Sequence, residues 1–222
     1  MRHDELPRIR IVSATVHGRY LIRATRETPP RGWLVGFHGY AQNAAMFLES
    51  LRQLPGSEEW LIASVQALHP FYARSNEIVA NWMTRQDREH AIADNIAYVD
   101  QVLADMAIDF GIPTALVFAG FSQGVAMAYR AGLCGRSPCS AIIVSGGDVP
   151  PELTPAPGRL WPPVLVCTGK HDTSYTPARM EEDVELLQSR GAEVQSLVFE
   201  GGHEWSQEVI DAAGEMLAAV TQ

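Results

Sequence analysis

Three residues, far apart in the chain, have the types and settings needed to make an alcohol reactive in neutral water. Ser122 stands in Gly120-Phe121-Ser122-Gln123-Gly124, after the apolar run Leu116–Ala119 and before an Ala/Met-rich run with helical spacing. That is strand, sharp turn and helix with a serine at the apex, the context of a nucleophile elbow. Side chains two residues before and after such a serine would collide with strand and helix, and here both positions are glycine. The next helix aims its N-terminal amides at the place where a negative oxygen would form. Asp172 follows another apolar run in Gly169-Lys170-His171-Asp172, and His203 follows a third in Glu200-Gly201-Gly202-His203. A serine hydroxyl is a weak nucleophile without a base within hydrogen-bond reach. His203 can be that base, and Asp172 can fix its tautomer and offset its developing charge.

Each residue has a blander reading. Ser122 could occupy an ordinary strand–helix turn, Asp172 could cap a helix, and His203 could simply sit in a glycine turn. The order Ser, Asp, His at three strand ends favours the chemical reading for all three. Asp148, at the end of the preceding strand, is the rival acid. Asp183 lies inside a helix, and His171 is read as a neighbour without a chemical role. Glu204 beside His203 makes no zinc motif, since no second histidine stands four residues on. An oxyanion also needs donors. The backbone N–H of Gln123 is one, and the loop His38-Gly39-Tyr40 offers Tyr40 as the second. His38 itself is read as a structural residue shaping that loop.

These residues need a scaffold that delivers them to one rim. Short buried strands are expected at Gly32–Phe37 and Trp60–Val65, and further strands at the elbow, Ser140–Ser145, Val164–Thr168 and Glu193–Phe199. Helices are expected at about Asn43–Gln53, Asp87–Phe110, after Ser122, at Pro177–Ser189 and at Glu208–Val220. Alternation of this kind implies a mostly parallel sheet with helices on both faces, and ligands then bind beyond the carboxyl ends of the strands. Two further strands, Ile9–Val16 and Arg19–Ala24, are expected to start the sheet as an antiparallel pair turning at His17-Gly18. Residues 66–84 show no periodicity and read as a long functional loop. The stretch Val149–Pro163 carries six prolines and reads as an ordered loop.

With 222 residues the chain is expected to form one domain. A net charge of −9 argues against a nucleic-acid or anionic-membrane surface. No apolar run reaches the length of a membrane span. The N-terminus lacks the apolar core of a secretion signal. Three cysteines leave one without a possible partner, and the pairing of Cys134 with Cys139 across a Gly-Arg-Ser-Pro turn stays open. A reducing cytoplasm is the expected compartment.

The order His-Gly-x, G-F-S-Q-G, G-x-x-D and G-G-H-x-W resembles the phospholipase/carboxylesterase family of small α/β-hydrolases, which includes acyl-protein thioesterases and bacterial carboxylesterases. The resemblance runs from about Gly32 to the end. It implies an α/β-hydrolase fold, with Ser122, Asp172 and His203 as triad and Tyr40 and Gln123 as oxyanion donors. It implies a small-molecule acyl ester or thioester as substrate, with no metal or organic cofactor needed. It also places Trp82 near the acyl or alcohol pocket, although Trp82, Phe71 and Tyr72 read equally well as core residues under the 66–84 loop. Two departures bear on substrate choice. The family often has His-Gly-x-Gly-Asp where this chain has His38-Gly39-Tyr40-Ala41-Gln42. The acid loop is one residue longer before Pro177, so Tyr175 is expected to lean into the pocket. A non-catalytic binding protein on the same scaffold, a peptidase and a lactone hydrolase are the alternatives, and a homodimer is left open.

Overall fold

The structure is a computed structural model that describes residues 8–24, 29–153 and 160–220. In chain order the elements are β1 (Tyr20–Arg23), β2 (Trp33–Phe37), α1 (Ala44–Leu51), β3 (Leu61–Val65), β4 (His69–Tyr72), β5 (Ile78–Asn81), α2 (Arg88–Phe110), β6 (Leu116–Phe121), α3 (Gln123–Cys134), β7 (Ala141–Ser145), β8 (Val164–Gly169), α4 (Pro177–Ser189), β9 (Val194–Phe199) and α5 (Gln207–Val220). Seven strands form one sheet in the order β1-β3-β2-β6-β7-β8-β9. Only β1 runs antiparallel to its neighbour.

β2, β3, β6, β7 and β8 are buried along their whole length. That is the signature of parallel strands covered on both faces. Alternate residues serve two cores. Val35, Phe37 and Phe118 pack under α2, α3 and α4 with Val99, Met127 and Leu187. Leu34, Val117 and Ala119 pack under α1 and α5 with Phe47, Leu51, Val209 and Leu217. Local chemistry fixes the helix ends. The Asn43 side chain accepts from the Met46 amide at 2.9 Å to cap α1, and Thr176 caps α4 ahead of Pro177 at its first turn. Gly111, with φ of 74°, ends α2.

After β2 the chain steps to β3 on one side, and from β6 onward it steps to the other side. The two adjacent strands β2 and β6 therefore flank the point where the winding reverses, and in sheets of this kind ligands bind beyond the carboxyl ends of such strands. His38 follows β2 and Ser122 follows β6.

Two expectations fail. Residues 9–16 form no strand, and Ile9 and Val12 are 89% and 84% exposed. The Arg19 carbonyl, from which such a pair would start, already accepts from the Gln66 amide at 3.0 Å, and Tyr98 on α2 occupies the same place. Its hydroxyl donates to the Arg19 carbonyl at 2.7 Å, and a Cβ on Gly18 would stand 2.1 Å from its ring. The chain before β1 is thereby drawn over α2 instead of folding back along β1. Residues 66–84 contain a hairpin, not an aperiodic loop. Phe71 pairs with Val79 and Tyr72 with Ile78, and the turn closes with Asn76 at φ of 65° and an Ala73 amide donating to the Glu77 carbonyl at 2.9 Å. Part of the proline-rich stretch, residues 154–159, lies outside the described residues, as do the N-terminal residues 1–7. Val149 and Leu153 from that stretch are buried, as an ordered loop requires.

Candidate active site

Ser122 occupies a backbone conformation that few non-glycine residues adopt, with φ of 53° and ψ of −118°. Packing enforces it. A Cβ on Gly124 would stand 2.0 Å from the Phe37 carbonyl oxygen, and one on Gly120 would stand 2.4 Å from the Gly124 carbonyl oxygen. The turn can close only with glycine at both places. The Ser122 amide donates to the Ser145 carbonyl at 2.9 Å, which ties the apex to the end of β7.

The structure brings the three candidate residues together. Ser122 Oγ lies 2.8 Å from His203 Nε2, and His203 Nδ1 lies 2.7 Å from Asp172 Oδ2. An ionised carboxylate can only accept, so Nδ1 carries the proton and Nε2 is left to accept from the serine hydroxyl. The Asp172 side chain is 1% exposed and that of His203 32%. Burial alone would push the Asp172 carboxyl up. Amide hydrogen bonds from Tyr175 and Ser174, together with His203, outweigh that and hold it below the usual carboxylate range. Those amides reach Asp172 Oδ1 at 3.0 and 2.7 Å. The acid and base loops are also stitched to each other, since the His171 amide donates to the Gly201 carbonyl at 2.9 Å. The imidazole packs on Phe121 at a centroid distance of 5.1 Å.

The rival acids are occupied elsewhere. Asp148 pairs with Arg179. Asp183 accepts from the Val149 amide at 3.0 Å and from the Tyr175 hydroxyl at 2.9 Å. His171 is exposed and lies 3.7 Å from Glu200, and Cys167 is buried in β8 as its apolar run suggests.

The loop after β2 lies against the serine: a Cβ on Gly39 would stand 3.3 Å from Ser122 Cβ. Gln42 shapes this loop. Its Oε1 accepts from the Gly39 amide at 2.8 Å, and its backbone N–H donates to the Gly39 carbonyl at 3.2 Å. The Tyr40 backbone is thus held in the turn beside Ser122, and Gln123 opens α3 at its positive end. His38 is structural. It is fully buried, Nδ1 donates to the Gly39 carbonyl at 2.7 Å, and Nε2 accepts from the Ala67 amide at 3.1 Å. Burial holds it below the usual imidazole range, with the Gly39 bond opposing only in part.

Tyr175 is not where the sequence places it, and of the two readings of Trp82 the core one holds. Trp82 is 0% exposed and packs in the core beneath the site. Its indole N–H donates to the His38 carbonyl at 2.8 Å. Tyr175 is 1% exposed, with its hydroxyl turned to Asp183. Both rings are buried and support the loops from behind. The sequence reading missed the side chain of Gln123. Its Oε1 accepts from the Trp82 amide at 3.0 Å, and its Nε2 donates to Asn81 Oδ1 at 2.7 Å and to the Met83 carbonyl at 3.0 Å. Arg130, two turns further along α3, is buried against Glu152 at 2.6 Å and touches Met83 Sδ at 3.3 Å. A cavity of about 1130 Å³ between residues 12–18 and α2 reaches Asn81 and Met83, but the three candidate residues do not line it.

A family model described as Phospholipase/Carboxylesterase matches residues 25–221. The chain belongs to the phospholipase/carboxylesterase family. Among solved structures, the carboxylesterase of Bacillus cereus matches with a TM-score of 0.74 at 17% identity, covering 91% of this chain and 94% of that one. Acyl-protein thioesterase 2 of Zea mays matches with a TM-score of 0.70 at 19% identity, covering 93% and 100%. A phospholipase/carboxylesterase from Dyadobacter fermentans matches with a TM-score of 0.69 at 24% identity, covering 93% and 99%. At these identities the structures establish the α/β-hydrolase fold. No curated protein sequence matches significantly. Among the described residues, no helix is long and apolar enough to cross a membrane.

Proposed function

We propose that this protein is a serine hydrolase that cleaves small or medium carboxylic esters or thioesters through an acyl-enzyme. The observation that carries the reading is the continuous relay from Ser122 Oγ through His203 to Asp172, at 2.8 and 2.7 Å. Ser122 Oγ attacks the acyl carbonyl carbon while its proton passes to His203 Nε2. The carbonyl oxygen becomes an oxyanion, held by the backbone N–H groups of Gln123 and Tyr40. Collapse breaks the bond to the alcohol or thiol, which leaves with the proton from Nε2. Water then attacks the acyl-serine. His203 takes a proton from the water and returns it to Ser122, and the free acid departs. Asp172 keeps the imidazole in the tautomer this cycle needs and offsets its charge when it is protonated.

Ser122→Ala tests the reading on p-nitrophenyl acetate and butyrate. Loss of the nucleophile lowers turnover by about a million-fold. A variant that keeps most of its activity refutes the proposal. A fluorophosphonate probe should label the wild type and not the variant, which separates an enzyme from a binding protein on the same scaffold. An acyl-length series of esters and thioesters then ranks acyl chains, and each ester–thioester pair compares an alcohol with a thiol as leaving group.

A further inference from the structure

The loop beside Ser122 displays a side chain that the relay does not use. Tyr40 is a large aromatic residue and is 59% exposed. It is not loose. Its ring stacks on Phe71 of β4, with centroids 5.6 Å apart and planes at 29°. Both rings stand on a frame fixed at the elbow. The Ala41 amide donates to the Ala80 carbonyl at 3.1 Å, and the Ala80 amide donates to the Gln42 carbonyl at 2.8 Å. The loop is thus paired to the last strand of the hairpin that carries Phe71. At its base the hairpin runs into Asn81, which the Gln123 side chain grips at 2.7 Å.

We propose, on the basis of the hydrolase reading above, that the Tyr40–Phe71 stack selects esters with a flat aromatic group. A stack that stays exposed offers apolar face and edge to a third ring. Because the frame already holds both rings, little side-chain freedom remains to be lost when a ligand ring joins them. The group selected can sit on the alcohol or the acyl side of the ester. Phenyl acetate and methyl phenylacetate present the two cases, with ethyl acetate as the reference.

The test is the ratio of kcat/KM for each aromatic ester to that for ethyl acetate, in wild type, Phe71→Leu and Phe71→Tyr. Taking the ratio within one preparation cancels the fraction of folded protein. Comparing variant with wild type cancels intrinsic reactivity. Phe71→Leu keeps apolar bulk without a flat face. It should lower the ratio about tenfold for at least one aromatic ester, chiefly through KM, the size of effect expected of one lost aromatic contact. Phe71→Tyr should keep the wild-type ratio. Ratios in Phe71→Leu within about twofold of wild type for both aromatic esters overturn the proposal while leaving the hydrolase reading intact. A wild type that hydrolyses none of the three esters overturns both.

Discussion

Gln123→Glu is a change of one atom type at the joint between the elbow and the 81–83 segment, and the structure says why it should be costly. The wild-type amide accepts from the Trp82 N–H and donates to Asn81 Oδ1 and the Met83 carbonyl. A carboxylate can keep only the first bond. Its other oxygen would face two acceptors. Asn81 cannot escape by turning its amide over, because its Oδ1 also accepts from the Met83 amide at 3.2 Å. Two lost bonds at about 1 kcal/mol each, and the cost of leaving their partners unmatched, give a destabilisation of about 3 kcal/mol. Urea unfolding at pH 8 measures it. The penalty carries a sign with pH. Acceptors around the new carboxyl disfavour its charged form and raise it above the ordinary range of about 4.3. The penalty is therefore fully present above that raised value and shrinks as pH falls through it, because the protonated acid can again donate. Measuring variant minus wild type at pH 8 and at pH 5 removes titrations common to both. The same change should lower kcat/KM by about ten- to a hundredfold, less than the loss of an oxyanion donor outright, because the Gln123 backbone N–H stays. A variant within about 0.5 kcal/mol of wild type at pH 8, with a difference that does not move at pH 5, would show that these three bonds do not hold the segment.

Two further changes separate the roles assigned above. Asp172→Asn should cut kcat by about 10⁴-fold, because a neutral amide no longer specifies the imidazole tautomer. Asp148→Asn, which removes only the pair with Arg179, should leave kcat within about threefold on the scale of an exposed ion pair, and the reverse ranking in steady-state assays would move the acid to residue 148. His38 makes stability depend on pH. Burial lowers its folded-state pKa below the unfolded value of about 6.5. Between the two values the unfolded chain holds the extra proton. Its contribution is therefore complete above about 6.5 and is lost as pH falls toward the folded value, at up to about 1.4 kcal/mol per pH unit. His38→Asn should be less stable at pH 8 yet show a flatter profile of unfolding free energy between pH 6.5 and pH 5. Parallel profiles would count against this.

The parts of the molecule legible in the sequence are those decided by local pattern. β2, β3, β6, β7 and β8 are continuous apolar runs because parallel strands bury both faces. The three relay residues announce themselves because the turns at strand ends need glycine wherever backbones approach closely, as at Gly124 against Phe37. Where distant groups decide, the pattern misleads. Residues 9–16 are rich in β-branched side chains like a strand, yet the Gln66 amide and the Tyr98 hydroxyl take the Arg19 carbonyl such a hairpin would start from. Trp82 and Tyr175 are aromatic residues in loops, and nothing in their spacing separates a pocket wall from a buried prop. The deciding bonds go to the His38 carbonyl and to Asp183.

The amides are the least visible of all. Gln42 and Gln123 leave no mark in a hydropathy profile, and Gln123 finds its partners about forty positions away in the chain. Yet their chemistry explains why glutamine stands there. The Gly39 amide needs an acceptor, which Gln42 supplies without placing a full negative charge beside the serine. The 81–83 segment presents one donor and two acceptors to Gln123. Only a side chain that both donates and accepts while staying neutral can satisfy that set. A neutral clamp also leaves the field around a developing oxyanion to the backbone dipoles, so the residues that brace the two loops do not oppose the charge those loops are proposed to stabilise.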